Sequence, residues 1–187
     1  TFDATSISFD EVWIGNYEGI GRATYALKYL SGMGLPAGVK ERYMGEAKCL
    51  RAYFYWNLVR SFGGVPKIDI IAVSNRATAE EIYAFMEQDL NDAIAVLPPV
   101  IPTAENGRVS KAAAQALMAK VLLYQKKWAA SKSMCDAIIG SNQYDLLTDY
   151  SQIWKEAGEF TIESIWEVNA IGITPNRGVE GYFVTQG

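Results

Sequence analysis

Between residues 40 and 62, apolar side chains fall at Tyr43, Ala47, Leu50, Phe54, Leu58 and Phe62, three or four positions apart, which places them on one side of a helix. Tyr55 and Val59 widen that stripe into a broad core-facing surface, and Gly63-Gly64 followed by Pro66 predicts a stop near Phe62. An earlier helix is expected from Ser8 to Leu30, ending where Gly32, Gly34 and Pro36 cluster, with a short loop to Val39. A third begins at Thr78, which stands three residues before Glu81 in the relation that satisfies exposed backbone donors, and Pro98-Pro99 closes it. From Ala112 to Tyr124 only Gln115 and Lys120 are polar, so this helix is expected to be buried on several sides at the centre of the fold. A further helix, Trp128 to Ile139, follows a tight turn and completes a helical hairpin. Residues 161–168 alternate in the manner of a half-buried strand, with Ile162, Trp166 and Val168 on its inner face. Beyond them Gly172, Pro175, Asn176, Gly178 and Gly181 mark an irregular loop.

Composition narrows what such a helical chain can do. With 187 residues, half of them hydrophobic, there is material for one domain with a substantial core, and 20% charged residues argue against global disorder. No segment has the uninterrupted apolar length needed to span a bilayer. The net charge of -4, with scattered basic residues, gives no electrostatic footprint for nucleic acid. Histidine is absent, which excludes serine-histidine and cysteine-histidine nucleophilic machinery and the common histidine metal sites. Cys49 and Cys135 lie far apart inside separate helices without metal-ligand spacing; they read as buried free thiols, a disulfide between them staying open. Arg51, set among large apolar groups, requires a carboxylate or backbone carbonyls to receive it, and its reading is structural.

The nearest approach to an acid/base pair is the run Glu156, Glu159, Glu163 and Glu167, which a solvated strand face explains better than glycosidic cleavage. Saccharide binding asks for aromatic faces beside amide or guanidinium donors, because sugars present apolar C–H patches ringed by hydroxyls. Trp13, Trp56, Trp128, Trp154 and Trp166 fall at core spacings and read as packing, which leaves the loop residues Asn169, Asn176, Arg177 and Tyr182 as ligand-binding candidates. No catalytic residue, metal or cofactor is implied.

Several blocks then stand in a recognisable order. Trp13, Tyr17, Ile20 and Leu27 precede Gly45-Glu46-Ala47-Lys48-Cys49-Leu50-Arg51-Ala52-Tyr53-Phe54-Tyr55-Trp56, which runs into Phe62-Gly63-Gly64-Val65-Pro66. Asp89-Leu90-Asn91-Asp92-Ala93 with Leu97-Pro98 comes next, and then Gly107-Arg108-Val109-Ser110-Lys111-Ala112-Ala113. This series, with Glu46, Arg51, Tyr53, Gly63, Pro66, Arg108 and Lys111 as its structural signature, resembles the SusD/RagB family of Bacteroidetes surface lipoproteins. The likeness runs from Phe9 to about Val168, departing where Thr24 replaces the asparagine usual near the middle of the first helix, which weakens a ligand role there.

The resemblance implies a mainly α fold of tetratricopeptide-like helical hairpins (an α/α superhelix) with a short β segment near the C-terminus. Residues 1–187 would form the amino-terminal helical domain without the second half of the family fold, and residues 110–140 a tetratricopeptide-like hairpin in which Ser131 takes the place of the usual alanine. It further implies a non-enzymatic subunit at the outer membrane, lipid-anchored through a cysteine not present in this chain. That subunit captures an oligosaccharide or peptide for a SusC-like TonB-dependent transporter. A helical-repeat scaffold for protein partners is the alternative.

Overall fold

The computed structural model describes residues 7–69, 74–155 and 158–168. Five helices account for most of it: α1 (Ile7–Gly32), α2 (Val39–Phe62), α3 (Ala79–Val96), α4 (Lys111–Tyr124) and α5 (Trp128–Ile139). Each packs on its successor, so that α2 takes α1 on one side and α3 on the other, while α4 lies between α3 and α5.

The helix ends follow from the residues that terminate them. Gly63 adopts φ 69°, where a side chain would be strained, and its N–H returns to the Val59 carbonyl. Arg76 then donates to the carbonyls of Phe62 and Gly64 at 2.9 and 2.6 Å, capping α2 from across the following loop. At the head of α3, Thr78 Oγ1 accepts the Glu81 N–H at 3.2 Å while the Glu81 carboxylate accepts the Thr78 N–H at 2.8 Å, the reciprocal pair expected from the sequence. Ser110 Oγ accepts the Ala113 N–H at the head of α4, and Ser131 Oγ donates to the Ala119 carbonyl at 2.8 Å, so this hydroxyl joins α5 to α4.

The core is built from Ile20, Tyr55, Leu58, Val65, Ile82, Met86, Leu90 and Val121. Through it passes one ion pair. Arg51, 6% exposed, donates to both oxygens of Asp89, 3% exposed, at 2.7 and 2.9 Å; its third nitrogen lies 3.5 Å from Thr24 Oγ1, and its plane sits 4.7 Å from the Phe85 ring centre. Three helices are thereby tied at one buried point, and the carboxylate that Arg51 requires comes from α3. Thr24 passes the chain of bonds on to the Ile68 carbonyl.

Three expectations are corrected. No strand forms over residues 161–168: the segment runs in turns and bends, and among the described residues the sole bridge joins Pro66 to Arg76. The alternation lacks a neighbouring strand to pair with, and Glu163 and Glu167 instead accept the N–H groups of Leu147 and Phe160 at 2.8 and 2.9 Å. Ile162 and Val168 are consequently exposed, leaving Trp166 and Ile165 against the core. The tryptophans also divide: Trp56 is buried and Trp13 half-buried, but Trp128 and Trp154 are 59% and 73% exposed. The cysteines divide as well: both are free thiols, Cys49 buried in α2 as expected, but Cys135, expected to be buried, is exposed because it lies on the uncovered side of α5.

Candidate functional site

The loop between α3 and α4 is short of regular structure, with one 3-10 turn at Thr103–Glu105 and Gly107 at φ 91°. A charge cluster holds it on α2. Arg108 donates to both oxygens of Glu46 at 3.1 and 2.5 Å, Glu46 also accepts from Arg42 at 3.1 Å, and Arg42 reaches Glu105 at 2.5 Å. The guanidinium of Arg108 lies 5.0 Å from the centre of the Tyr43 ring, and the Glu46 carboxylate holds it still more firmly protonated. Glu46 and Arg108, distant in sequence, therefore form one structural joint.

That joint supports a cleft of about 330 Å³ between this loop and residues 143–168, with Asn106, Arg108, Gln143, Tyr144, Phe160 and Trp166 among its walls. The Trp166 indole N–H donates to the Gly107 carbonyl at 3.1 Å, and its ring meets Tyr53 edge-on at 5.5 Å. Tyr144 lies 3.5 Å from Ser110 through their hydroxyls. Phe160 adopts φ 54°, a conformation costly for a bulky residue, and the Glu167 carboxylate fixes it by accepting its N–H. Rings, amides and hydroxyls converge here, the combination that receives the apolar faces and hydroxyl rim of a sugar. Glu163 and Glu167 are each engaged by a backbone amide and present no acid/base pair, and no cluster able to hold a metal occurs among the described residues.

A second concavity, about 840 Å³ and more apolar, runs between α1 and α2 past Gly19, Ala23, Tyr29, Met33, Leu50 and Phe54. Gly19 keeps it open to close helix approach: a Cβ there would come within 2.4 Å of the Phe54 ring.

Among the signature residues, Arg51, Glu46 and Arg108 carry ion pairs. Tyr53 backs Trp166, and Gly63 ends α2. The Pro66 carbonyl accepts the Tyr17 hydroxyl at 2.8 Å, and Lys111 opens α4 with its N–H on the Pro98 carbonyl. The ligand candidates Asn169, Asn176, Arg177 and Tyr182 lie outside the described residues. Sequence reasoning missed Tyr144, Phe160, Asn106 and Gln143, which come from separate loops and share no period. It also did not match Asp89 to Arg51, although a lone carboxylate among Ile82, Met86, Leu90 and Ala93 on a buried face signals a partner for that arginine.

The SusD-like family, described as "Starch-binding associating with outer membrane", matches residues 2–123. The chain belongs to the SusD-like family. It is 30% identical over 132 residues to a SusD-like protein of Formosa agariphila, an alignment covering 67% of this chain and 25% of that protein. Its fold is similar to that of a laminarin-binding SusD-like protein (TM-score 0.82, 34% identity), with 84% of this chain and 37% of the other aligned. A similar likeness holds to surface glycan-binding protein A from Bacteroides thetaiotaomicron in complex with laminarihexaose (TM-score 0.79, 31% identity, 85% and 35% covered). This SusD-like chain thus spans about a quarter of the curated relative and little more than a third of the two solved chains.

Proposed function

We propose that this SusD-like protein is a non-catalytic binding subunit at the cell surface, held to the outer membrane by a lipid anchor, that captures glycans or peptides and delivers them to a TonB-dependent transporter. The observation that carries the reading is the likeness over most of the chain to a laminarin-binding SusD-like protein, in a family described as starch-binding and associated with the outer membrane. The cleft walled by Tyr144, Phe160 and Trp166 supports it chemically, since flat rings flanked by Asn106 and Gln143 suit a saccharide chain. SusD-like proteins bind rather than cleave, in keeping with carboxylates committed to backbone amides.

Titration of the complete gene product with laminarin and starch oligosaccharides is the test. Saturable binding is expected, and Tyr144→Ala is expected to weaken it about tenfold, or about 1.4 kcal/mol. Co-purification of the lipidated native protein with an outer-membrane barrel would establish the uptake role. A helical-repeat scaffold is the second reading, favoured by the apolar α1–α2 groove. Failure of every glycan and peptide to bind, with capture of a defined protein partner in that groove, would replace the first reading by the second.

A further inference from the structure

We propose that the cleft selects uncharged saccharide chains and rejects those carrying carboxylate or sulfate groups, an inference that rests on the glycan-binding reading of the same site. Anionic glycans are held by free guanidinium or ammonium groups that meet their charges, preferably through the two-pronged contact of arginine. Arg108 is the one cation lining the cleft among the described residues. Its Nε and Nη2 already donate to both oxygens of Glu46, which commits the two-pronged face of the guanidinium, and the four-member cluster Arg42, Glu46, Glu105 and Arg108 sums to zero charge. To turn toward a ligand, Arg108 would have to leave Glu46, which is itself largely enclosed, and abandon its place over Tyr43.

The opposite wall has the opposite sign. Glu167 lines the cleft with its carboxylate fixed by the Phe160 N–H, and Asp145, Glu159 and Glu163 are the sequence neighbours of the lining residues Tyr144, Phe160 and Ile162. From Gln143 to Val168 the sequence contains six acidic residues and one basic residue, Lys155. A sulfated or uronate-bearing chain entering this space would meet the fixed Glu167 carboxylate while the facing Arg108 stays neutralised by Glu46, whereas a neutral hexose chain uses the rings, amides and hydroxyls without that repulsion.

The deciding experiment is calorimetric titration of the complete protein with laminarin oligosaccharides and with the same oligosaccharides after chemical sulfation. Affinity for the sulfated chain is expected to be at least about tenfold weaker at an ionic strength of about 0.05 M, the gap narrowing near 1 M, where the screening length falls to about 3 Å. Glu159→Lys, an exposed change beside the cleft, is expected to improve binding of the sulfated chain while leaving the neutral chain unaffected. Equal or tighter binding of the sulfated chain would overturn the charge selection while leaving glycan capture standing. Binding of neither chain would overturn glycan capture and the selection with it.

Discussion

Arg51 and Asp89 show how much one buried pair can decide. Burial pushes the Asp89 carboxyl up from its usual range while the Arg51 guanidinium opposes the shift, so each side chain is tolerated only because the other is present. Asp89→Ala leaves a guanidinium unpaired in the core and is expected to cost about 3–5 kcal/mol, whereas Arg51→Met combined with Asp89→Leu should lose far less. Urea unfolding of both variants checks this, and a loss under about 1 kcal/mol for Asp89→Ala would refute the view that this pair holds three helices together. The cysteines give a second contrast. Burial raises the Cys49 thiol to about 12, and Cys135 is exposed, so iodoacetamide should label Cys135 in the folded protein and reach Cys49 only after unfolding. Tyr55, raised to about 12 mainly by burial, acts in the same direction. Unfolded, these groups release their protons near 9 and 10, so above those values the unfolded chain holds fewer protons than the folded one, and stability is expected to fall as pH rises toward 12. A flat stability curve from pH 8 to 11 would contradict that burial. The need of Arg51 for an acid was legible in the sequence because an apolar stripe cannot solvate a charge; where that acid stood was set by tertiary packing.

For whole elements, the glycines and caps decide where helices stop and how closely loops return. A Cβ on Gly64 would lie 2.3 Å from the Ala77 carbonyl oxygen and 3.1 Å from the Thr78 Cα, both backbone atoms unable to swing aside. Gly64→Ala is therefore expected to cost about 1–3 kcal/mol and to loosen the return of the loop to the head of α3. Thr78→Ala, which removes half of the reciprocal cap, should cost about 1 kcal/mol, and the two losses should fall short of additivity because the sites touch. Thermal unfolding of the two single variants and the double variant measures that coupling, and full additivity would refute a shared structural unit. These ends were readable because Gly63, Thr78, Glu81 and Pro98 act through local backbone geometry. Residues 161–168 misled for the same reason in reverse: alternation declares a strand only if a partner strand exists, and here Glu163 and Glu167 spend their carboxylates on loop amides.

At the scale of the molecule, the helical series was legible and the cleft was not. Periodicity finds a helix because one residue type recurs along one element, but Asn106, Tyr144, Phe160 and Trp166 meet where the Trp166 indole joins Gly107 of a loop that Arg108 and Glu46 pin to α2. Trp128 and Trp154 likewise kept the spacing of core residues while ending up in solvent, since the sequence does not state which side of a terminal element remains uncovered. The order of packing, each helix on its successor, carries a kinetic consequence. Contacts between consecutive elements close short stretches of chain, so the entropy lost before the first favourable contact is small, which favours early formation of neighbouring helix pairs. A polypeptide threaded through a pore in extended form thus gains its first hairpin, α1 on α2, before its later residues emerge, covering Trp13 with Phe62 while synthesis or translocation is still under way.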